Sequence, residues 1–207
     1  MAQFTTDINH LSPSGGEFLE LADGAWQFRD YLAGIISAAT YRPSVPSFIS
    51  GLPCRVKLGK KKCGGSLALT RQDLPTAIIK WCCTSCGENG EISGWRGHLY
   101  DCTRYSDPRI VPGEKLLKIK LTSTEFEALL DSENIFSPDD LRVIYSGEKV
   151  GASIRLSGWE SDMDIFNDSV AAVGNNTSNK KLEKALDSIF CKIQTALDDC
   201  FETSVLR

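Results

Sequence analysis

The apolar positions near the start of the chain recur close to helical spacing. In the stretch EFLELADGAWQFRDYLAGIISAAT, the large side chains that share this spacing are Trp26, Phe28, Tyr31, Leu32, Ile35 and Ile36. Gly24 and Gly34 lower the helical propensity, but the periodicity still predicts a helix from about Asp23 to Ala39. The following stretch, YRPSVPSFISGLP, has three prolines and predicts a boundary or an extended connector.

The pattern changes to short β-type runs in the middle of the chain. SLALT and AIIKWC are rich in residues that favour strands, and GEISGW follows a Glu-Asn-Gly sequence. An Asn-Gly pair between apolar runs is a strong hairpin signal, so Asn89 and Gly90 predict a turn between two strands. The stretch SDPRIVPGEK then predicts a linker because it carries two prolines and a glycine.

The last hundred residues alternate between strand and helix patterns. KLLKIKLT and GASIRLSGW predict strands, and three residues precede apolar helical runs as N-cap candidates: Thr122, Ser137 and Ser161. Thr122 and Glu125 have the spacing of a capping box. We expect the helix that follows Ser161 to end at Gly174, because glycine commonly terminates helices.

A long helix is predicted from about Asn179. Its apolar residues form one wide stripe: Leu182, Ala185, Leu186, Ile189, Phe190, Ile193, Leu197 and Cys200. Such a stripe is typical of a helix packed on its own core. A seam between two copies of the chain is the functional alternative.

Together these elements predict an α+β protein in three parts. Residues 1–51 form an N-terminal helical segment, residues 52–109 a β module, and residues 110–207 a small α/β domain that ends in helices. Apolar residues make up 42% of the 207 positions, which is ordinary for a globular protein. No apolar run approaches the roughly 18 residues expected of a membrane span, and the N-terminal residues lack the pattern of a secretory signal.

The β module contains cysteines at the spacing of metal ligands. Cys54 and Cys63 are separated by eight residues, and Cys83 and Cys86 by two. Four thiolates can surround a zinc ion tetrahedrally, and a Cys-x-x-Cys turn supplies two of them. A glycine follows both Cys63 and Cys86 and gives the backbone the freedom such turns need. The spacing predicts one structural Zn²⁺ bound by the four cysteines.

The stretch IIKWCCTSCGENGEISGW resembles the strand–turn–strand hairpin of zinc-ribbon proteins, in which CTSCG matches the metal-binding knuckle. The resemblance covers about residues 54–105 and implies a zinc-ribbon-like module flanked by the N-terminal helix and the C-terminal α/β unit. The first pair departs from the pattern, since eight residues between Cys54 and Cys63 exceed the usual two to four. No family is indicated for the rest of the chain.

Other assignments compete with this ligand set. Cys102 or His98 is an alternative fourth ligand in place of Cys54. Cys82 adjoins Cys83, but strand alternation directs it to the opposite face. A redox-active Cys-x-x-Cys normally begins a helix, whereas here a glycine-rich hairpin follows. Two buried thiols that bind no metal are the remaining alternative.

Charge is distributed unevenly along the chain. The net charge of −4 divides into −3 for residues 1–51, +5 for residues 52–109 and −6 for residues 110–207. The basic residues that could contact phosphates are Arg55, Lys57, Lys60, Lys61, Lys62 and Arg96. A basic middle can instead form an internal interface with the acidic flanks.

These observations favour a non-enzymatic, cytoplasmic zinc protein. The chain has only two histidines and no nucleophile, phosphate-loop or zinc-protease motif, so we identify no catalytic residue. An adaptor or regulatory role, with a protein partner or self-association, is the first hypothesis. A nucleic-acid-binding zinc ribbon that uses the Lys57–Lys62 loop is the second, and an enzyme without a readable motif is the third. No membrane or small-molecule partner is indicated.

Overall fold

The computed structural model describes residues 3–11, 22–41, 45–103 and 114–205. They belong to two compact units, one within Met1–Ile110 and one within Val111–Arg207. Helices and strands occur in both units, so the predicted α+β class is confirmed. Most of the predicted linker, residues 106–113, lies outside the described residues. Within the described residues, no helix is both long enough and apolar enough to cross a membrane.

The first unit is built on a five-stranded sheet and one long helix. Its elements, in chain order, are β1 (Gln3–Asp7), α1 (Asp23–Thr40), β2 (Ser47–Pro53), β3 (Lys57–Leu58), β4 (Lys61–Lys62), β5 (Ser66–Gln72), β6 (Ile78–Cys83) and β7 (Asn89–Ser93). The order in the sheet is β1-β7-β6-β5-β2. β1 pairs with β7 in parallel, and the other neighbours are antiparallel. β3 and β4 form a separate two-stranded hairpin.

Helix α1 forms where the sequence predicts it, and it packs against the sheet. Leu32, Ile35 and Ile36 are at most 1% exposed, and burying each such side chain stabilises the fold by roughly 1.5–3 kcal/mol. The Tyr31 ring lies edge-on to the Trp81 ring of β6, with centroids 5.8 Å apart. The core of the unit therefore lies between α1 and one face of the sheet.

The predicted hairpin at Asn89-Gly90 exists, but its turn lies elsewhere. Asn89 and Gly90 are inside β7, opposite Cys82 and Trp81, and the chain reverses over residues 84–88. A Cβ atom on Gly90 would lie 2.9 Å from both the Trp81 ring and the Phe4 carbonyl oxygen. The glycine is therefore required by close packing against Trp81 rather than by a turn.

The predicted connector at 41–53 is also corrected. Its second half forms strand β2, which pairs with β5 from Ser47 to Pro53 with a register shift after Ile49. The prolines favoured a connector, but Pro53 follows the shift in register after Ile49, and proline is tolerated at such irregularities of a strand.

The second unit combines a three-stranded antiparallel sheet with four helices. Its elements are β8 (Leu116–Leu121), α2 (Ser123–Asp131), α3 (Pro138–Tyr145), β9 (Glu148–Val150), β10 (Ser153–Trp159), α4 (Glu160–Asn176) and α5 (Lys180–Val205). Within this unit the strand order is β9-β10-β8. Both predicted strands are confirmed.

The helix ends of the second unit follow the sequence signals only in part. Thr122 forms the predicted capping box, and Ser137 is the N-cap of α3 as predicted and also forms a capping box with Asp140. Helix α4 instead begins at Glu160 with Trp159 as its N-cap, so Ser161 does not cap it. It also continues past Gly174, whose added Cβ would lie 3.6 Å from the Leu186 side chain of α5. Gly174 therefore lies beside α5, at a distance where a Cβ would make ordinary contact, and it does not end α4.

The predicted apolar stripe of α5 faces the core of its own unit. Leu186, Ile189, Ile193 and Cys200 are buried. The Asn167 side-chain amide of α4 donates to the Gln194 Oε1 of α5 at 3.0 Å. The stripe therefore packs within the unit, with Leu182, Ala185, Phe190 and Leu197 partly exposed at its margins.

Candidate metal centre

Four cysteines from three segments of the first unit meet at one end of its sheet. Cys54 follows β2, Cys63 follows β4, Cys83 ends β6, and Cys86 lies in the turn to β7. Their Sγ atoms all lie within 4.8 Å of one another. Cys54 and Cys86 are 3.7 Å apart, as are Cys63 and Cys83. The structure thus brings together the four residues that the spacing singled out, in an arrangement that could hold a metal ion.

The sulfur spacing fits a tetrahedral ion. At a Zn–S distance of about 2.3 Å, the sulfurs of a regular tetrahedron are about 3.8 Å apart, close to the two 3.7 Å separations. Cys54, Cys63 and Cys83 are buried and Cys86 is partly exposed. Four such thiolates would complete the coordination of the ion and leave no position for a reacting water.

Backbone N–H groups orient the sulfur atoms. The N–H groups of Ser85 and Cys86 donate to the Cys83 Sγ at 3.4 and 3.5 Å, and the Val56 N–H donates to the Cys54 Sγ at 3.5 Å. Gly87 closes the turn with a φ of 72°, which other L-residues adopt only with strain. Hydrogen bonds of this kind fix ligand orientation around a metal.

The eight residues between Cys54 and Cys63 form a hairpin that returns the chain to the site. Its ladder continues beyond β3 and β4, since the Cys63 N–H donates to the Val56 carbonyl at 2.8 Å and the Cys54 N–H to the Gly65 carbonyl at 2.9 Å. Antiparallel pairing places both cysteines at the base of the hairpin. The wide spacing, which departs from the usual ribbon pattern, is therefore compatible with a shared site.

The thiols of the metal-free site differ in acidity. Burial acts to raise the pKa of Cys83, but the N–H groups of Cys86 and Ser85 outweigh it and lower this pKa to about 7. Burial raises the pKa of Cys54 above its ordinary value. Because only the thiolate binds metal, Cys83 needs less free energy to ionise near pH 7 than Cys54 does.

Glu88 and Arg55 form an ion pair beside the four cysteines. The sequence analysis did not predict this pair. The Cys54 Sγ lies 3.5 Å from the Glu88 Oε2, and the Arg55 Nε lies 3.5 Å from the Glu88 Oε1. The Arg55 guanidinium also lies over three aromatic rings, nearest that of Phe28 at 4.4 Å and farther from those of Phe4 and Tyr31. Four thiolates around a divalent ion carry a charge of −2, so a neighbouring guanidinium is electrostatically favourable.

The competing ligands lie outside the cluster. Cys102 is buried near the end of α1, where its N–H donates to the Thr40 Oγ1 at 2.9 Å. The buried His98 ring lies 4.8 Å from the Tyr100 ring. Cys82 is exposed and alternates with the buried Cys83 along β6. Neither Cys102 nor His98 therefore joins the four sulfur atoms.

The predicted phosphate-contacting residues fall into two groups. The four lysines at 57, 60, 61 and 62 are exposed on the β3–β4 hairpin. Arg55 is engaged with Glu88, and Arg96 forms an ion pair with Asp73 at 2.6 Å. Trp81 and Trp95 are at most 2% exposed, so neither presents a ring for stacking on bases.

Comparisons with protein-family models, with curated proteins and with solved structures find no match to this chain.

Proposed function

We propose that the chain is a non-enzymatic zinc protein in which one structural Zn²⁺, bound by Cys54, Cys63, Cys83 and Cys86, supports a zinc-ribbon-like module. The observation that carries the proposal is the 3.7 Å spacing of two sulfur pairs within a group of four. Three N–H donors to sulfur support it further. A closed tetrathiolate site stabilises structure and does not activate water.

The module would differ from an ordinary ribbon in its first pair of ligands. One pair lies on the tight turn between β6 and β7, and the other lies at the base of the β3–β4 hairpin. The metal would join this hairpin to the main sheet, because the hairpin pairs with no other strand among the described residues.

The biological role that follows is that of an adaptor or regulatory factor. A metal-fixed module offers a rigid surface to a protein partner or to a second copy of the chain, without chemistry of its own. A reducing compartment such as the cytoplasm would keep the thiols available for metal. A second candidate, nucleic-acid binding, is supported by one specific observation: the four exposed lysines have no ion pair within the described part of the chain.

Metal analysis of the purified protein tests the proposal directly. Elemental analysis by inductively coupled plasma mass spectrometry should find one zinc per chain. It should find little or no iron, whose tetrathiolate complex would colour the protein. Cys63→Ser and Cys83→Ser should lose the zinc and lower the melting temperature. Cys191→Ser should change neither, because Cys191 is exposed on α5. Full zinc occupancy in both ligand variants would refute the assigned set.

A further inference from the structure

The hairpin formed by residues 57–62, here called the lysine hairpin, is positively charged on both faces. Lys57 lies directly opposite Lys62, and Leu58 directly opposite Lys61. Opposite residues share a face and successive residues alternate between faces. Lys57 and Lys62 therefore occupy one face and Lys61 the other, while Lys60 lies at the turn. All four lysines are exposed.

The charges of the lysine hairpin are not neutralised within the chain as described. No ion pair to these four lysines occurs among residues 3–11, 22–41, 45–103 and 114–205. Like charges directly opposite each other on a strand pair destabilise it, so the pairing of Lys57 with Lys62 opposes formation of the hairpin. An anion bound from outside would relieve this repulsion.

The lysine hairpin is short, and its backbone is fixed by a tight turn at its tip and by strand pairing at its base. Gly59 has a φ of 66° at the first position of its two-residue turn, while Lys60 at the second position has no positive φ. This combination is the one that a type II′ turn requires. At the base, Val56 and Cys63 are paired, and the tip extends about 10 Å beyond that pair.

We propose that the lysine hairpin enters the major groove of double-stranded DNA and binds phosphates on both walls. A flat surface, such as a lipid bilayer or the face of an acidic protein, would meet one face of the hairpin and leave the other unpaired. A groove presents anions on both sides. The B-form major groove is about 12 Å wide and 8.5 Å deep and admits a two-stranded ribbon, which matches the reach of the hairpin.

This inference rests on the proposed function, because the zinc ligands Cys54 and Cys63 hold the base of the hairpin. It also specifies the kind of recognition. Lysines contact phosphates as point charges, and Trp81 and Trp95 are buried and cannot stack on bases. The binding is therefore to duplex DNA without sequence preference. A-form RNA has a deep, narrow major groove and should bind weakly.

Fluorescence anisotropy with the zinc-loaded, full-length chain tests the inference. The probes are a labelled DNA duplex of about 20 base pairs, an RNA duplex of matching sequence and the single DNA strand. Four phosphate contacts predict an affinity loss of about 100-fold between 50 and 200 mM salt. Lys57→Ala/Lys62→Ala should lower the slope of log affinity against log salt by about 2, and Lys61→Ala by about 1.

A matched control removes the same charge elsewhere. Lys118→Ala/Lys120→Ala takes two exposed lysines from β8 in the second unit and should leave the salt dependence unchanged. Equal affinity for the RNA and DNA duplexes would overturn the proposal that the hairpin binds in the major groove. A change in salt dependence for the variant of only one face would indicate a partner with a flat surface. Displacement by polyglutamate as readily as by unlabelled duplex would indicate an acidic protein instead.

Zinc content, measured on every sample, separates the two proposals. Zinc-loaded protein that fails to bind duplex DNA at 50 mM salt overturns the DNA inference and leaves the metal centre intact. A purified chain that takes up no zinc refutes the metal centre, and the DNA inference with it.

Discussion

Gly65 lies so close to Cys83 that a Cβ atom on residue 65 would be 2.4 Å from the Cys83 Sγ. It would also be 2.8 Å from the Cβ of Ser85. The segment that leaves the β3–β4 hairpin therefore runs directly against the turn that carries two of the proposed ligands. The need for glycine here is steric, since Gly65 has no positive φ.

Gly65→Ala should weaken metal binding selectively. The added methyl group must displace the Cys83 sulfur or the backbone at Ser85, and disturbing the surroundings of a ligand typically costs 10–100-fold in affinity. Gly64→Ala is the matched control, because a Cβ there would meet nothing within 4 Å. Competition with a zinc-binding dye measures both affinities. Equal affinities for the two variants would show that residue 65 does not constrain the site.

Zinc binding should release fewer protons as the pH rises through 7. The pKa of Cys83 in the metal-free site is about 7 because N–H donation from Cys86 and Ser85 outweighs burial. Below pH 7 this thiol must lose its proton when metal binds, whereas above pH 7 it is already ionised. Titration calorimetry in buffers of different ionisation enthalpy counts the protons. We expect about one fewer at pH 8 than at pH 6. An unchanged count would contradict the assigned acidity of Cys83.

Arg55→Ala should destabilise the first unit without removing the metal. The guanidinium contacts the Phe28 ring and pairs with Glu88, and a partly buried cation–π contact contributes roughly 0.5–2 kcal/mol. Chemical denaturation should therefore show a loss of about 1–2 kcal/mol with zinc content retained. Lys80→Ala is the control, because its half-exposed ion pair with Glu91 should contribute under about 1 kcal/mol. If the two variants were equally stable, the contacts of Arg55 with the Phe28 ring and Glu88 would contribute no more than an exposed ion pair.

Glu125 should make the second unit sensitive to acid. Burial acts to raise its pKa, but hydrogen bonds from the Lys192 ammonium and the Thr122 N–H lower it from 4.5 to about 2. A lowered pKa in the folded state stabilises the fold above the unfolded value of 4.5 and loses that contribution as the pH falls toward 2. Glu125→Gln should therefore cost on the order of 2 kcal/mol at pH 7 and little near pH 2.

Denaturation curves of Glu125→Gln and of the unchanged protein, recorded from pH 7 to pH 2, test this prediction. Glu127→Gln is the control, since Glu127 is exposed on the same helix and should not change the pH dependence. A difference between Glu125→Gln and the unchanged protein that stays constant from pH 7 to pH 2 would show that the carboxylate charge is not responsible.

The elements with strong local signals were predicted well. Helix α1, the capping box at Thr122 and the N-cap at Ser137 formed as predicted, because apolar periodicity and side-chain capping act within a few residues of one another. The four cysteines also met as a group. That these cysteines bind zinc, and that the module is a ribbon, stay predictions for the metal analysis.

The errors arose where a residue serves a distant neighbour. Gly90 was interpreted as a turn and Gly174 as a helix end, yet Gly90 makes room for Trp81 and Gly174 lies beside Leu186. The Arg55–Glu88 pair joins residues 33 positions apart and carries no local pattern. A sequence window cannot detect such contacts, because the neighbouring residue lies outside it.

The sequence by itself determined helices α1 and α5, the capped starts of α2 and α3, and which cysteines are spaced as ligands, since these depend on short-range periodicity and turn chemistry. Only the tertiary structure decided that the hairpin at 57–62 returns Cys63 to the sulfur of Cys83, 3.7 Å away, and that Trp81 and Trp95 are buried. Strand register and packing set those relationships, and both depend on the simultaneous fit of residues far apart in the chain.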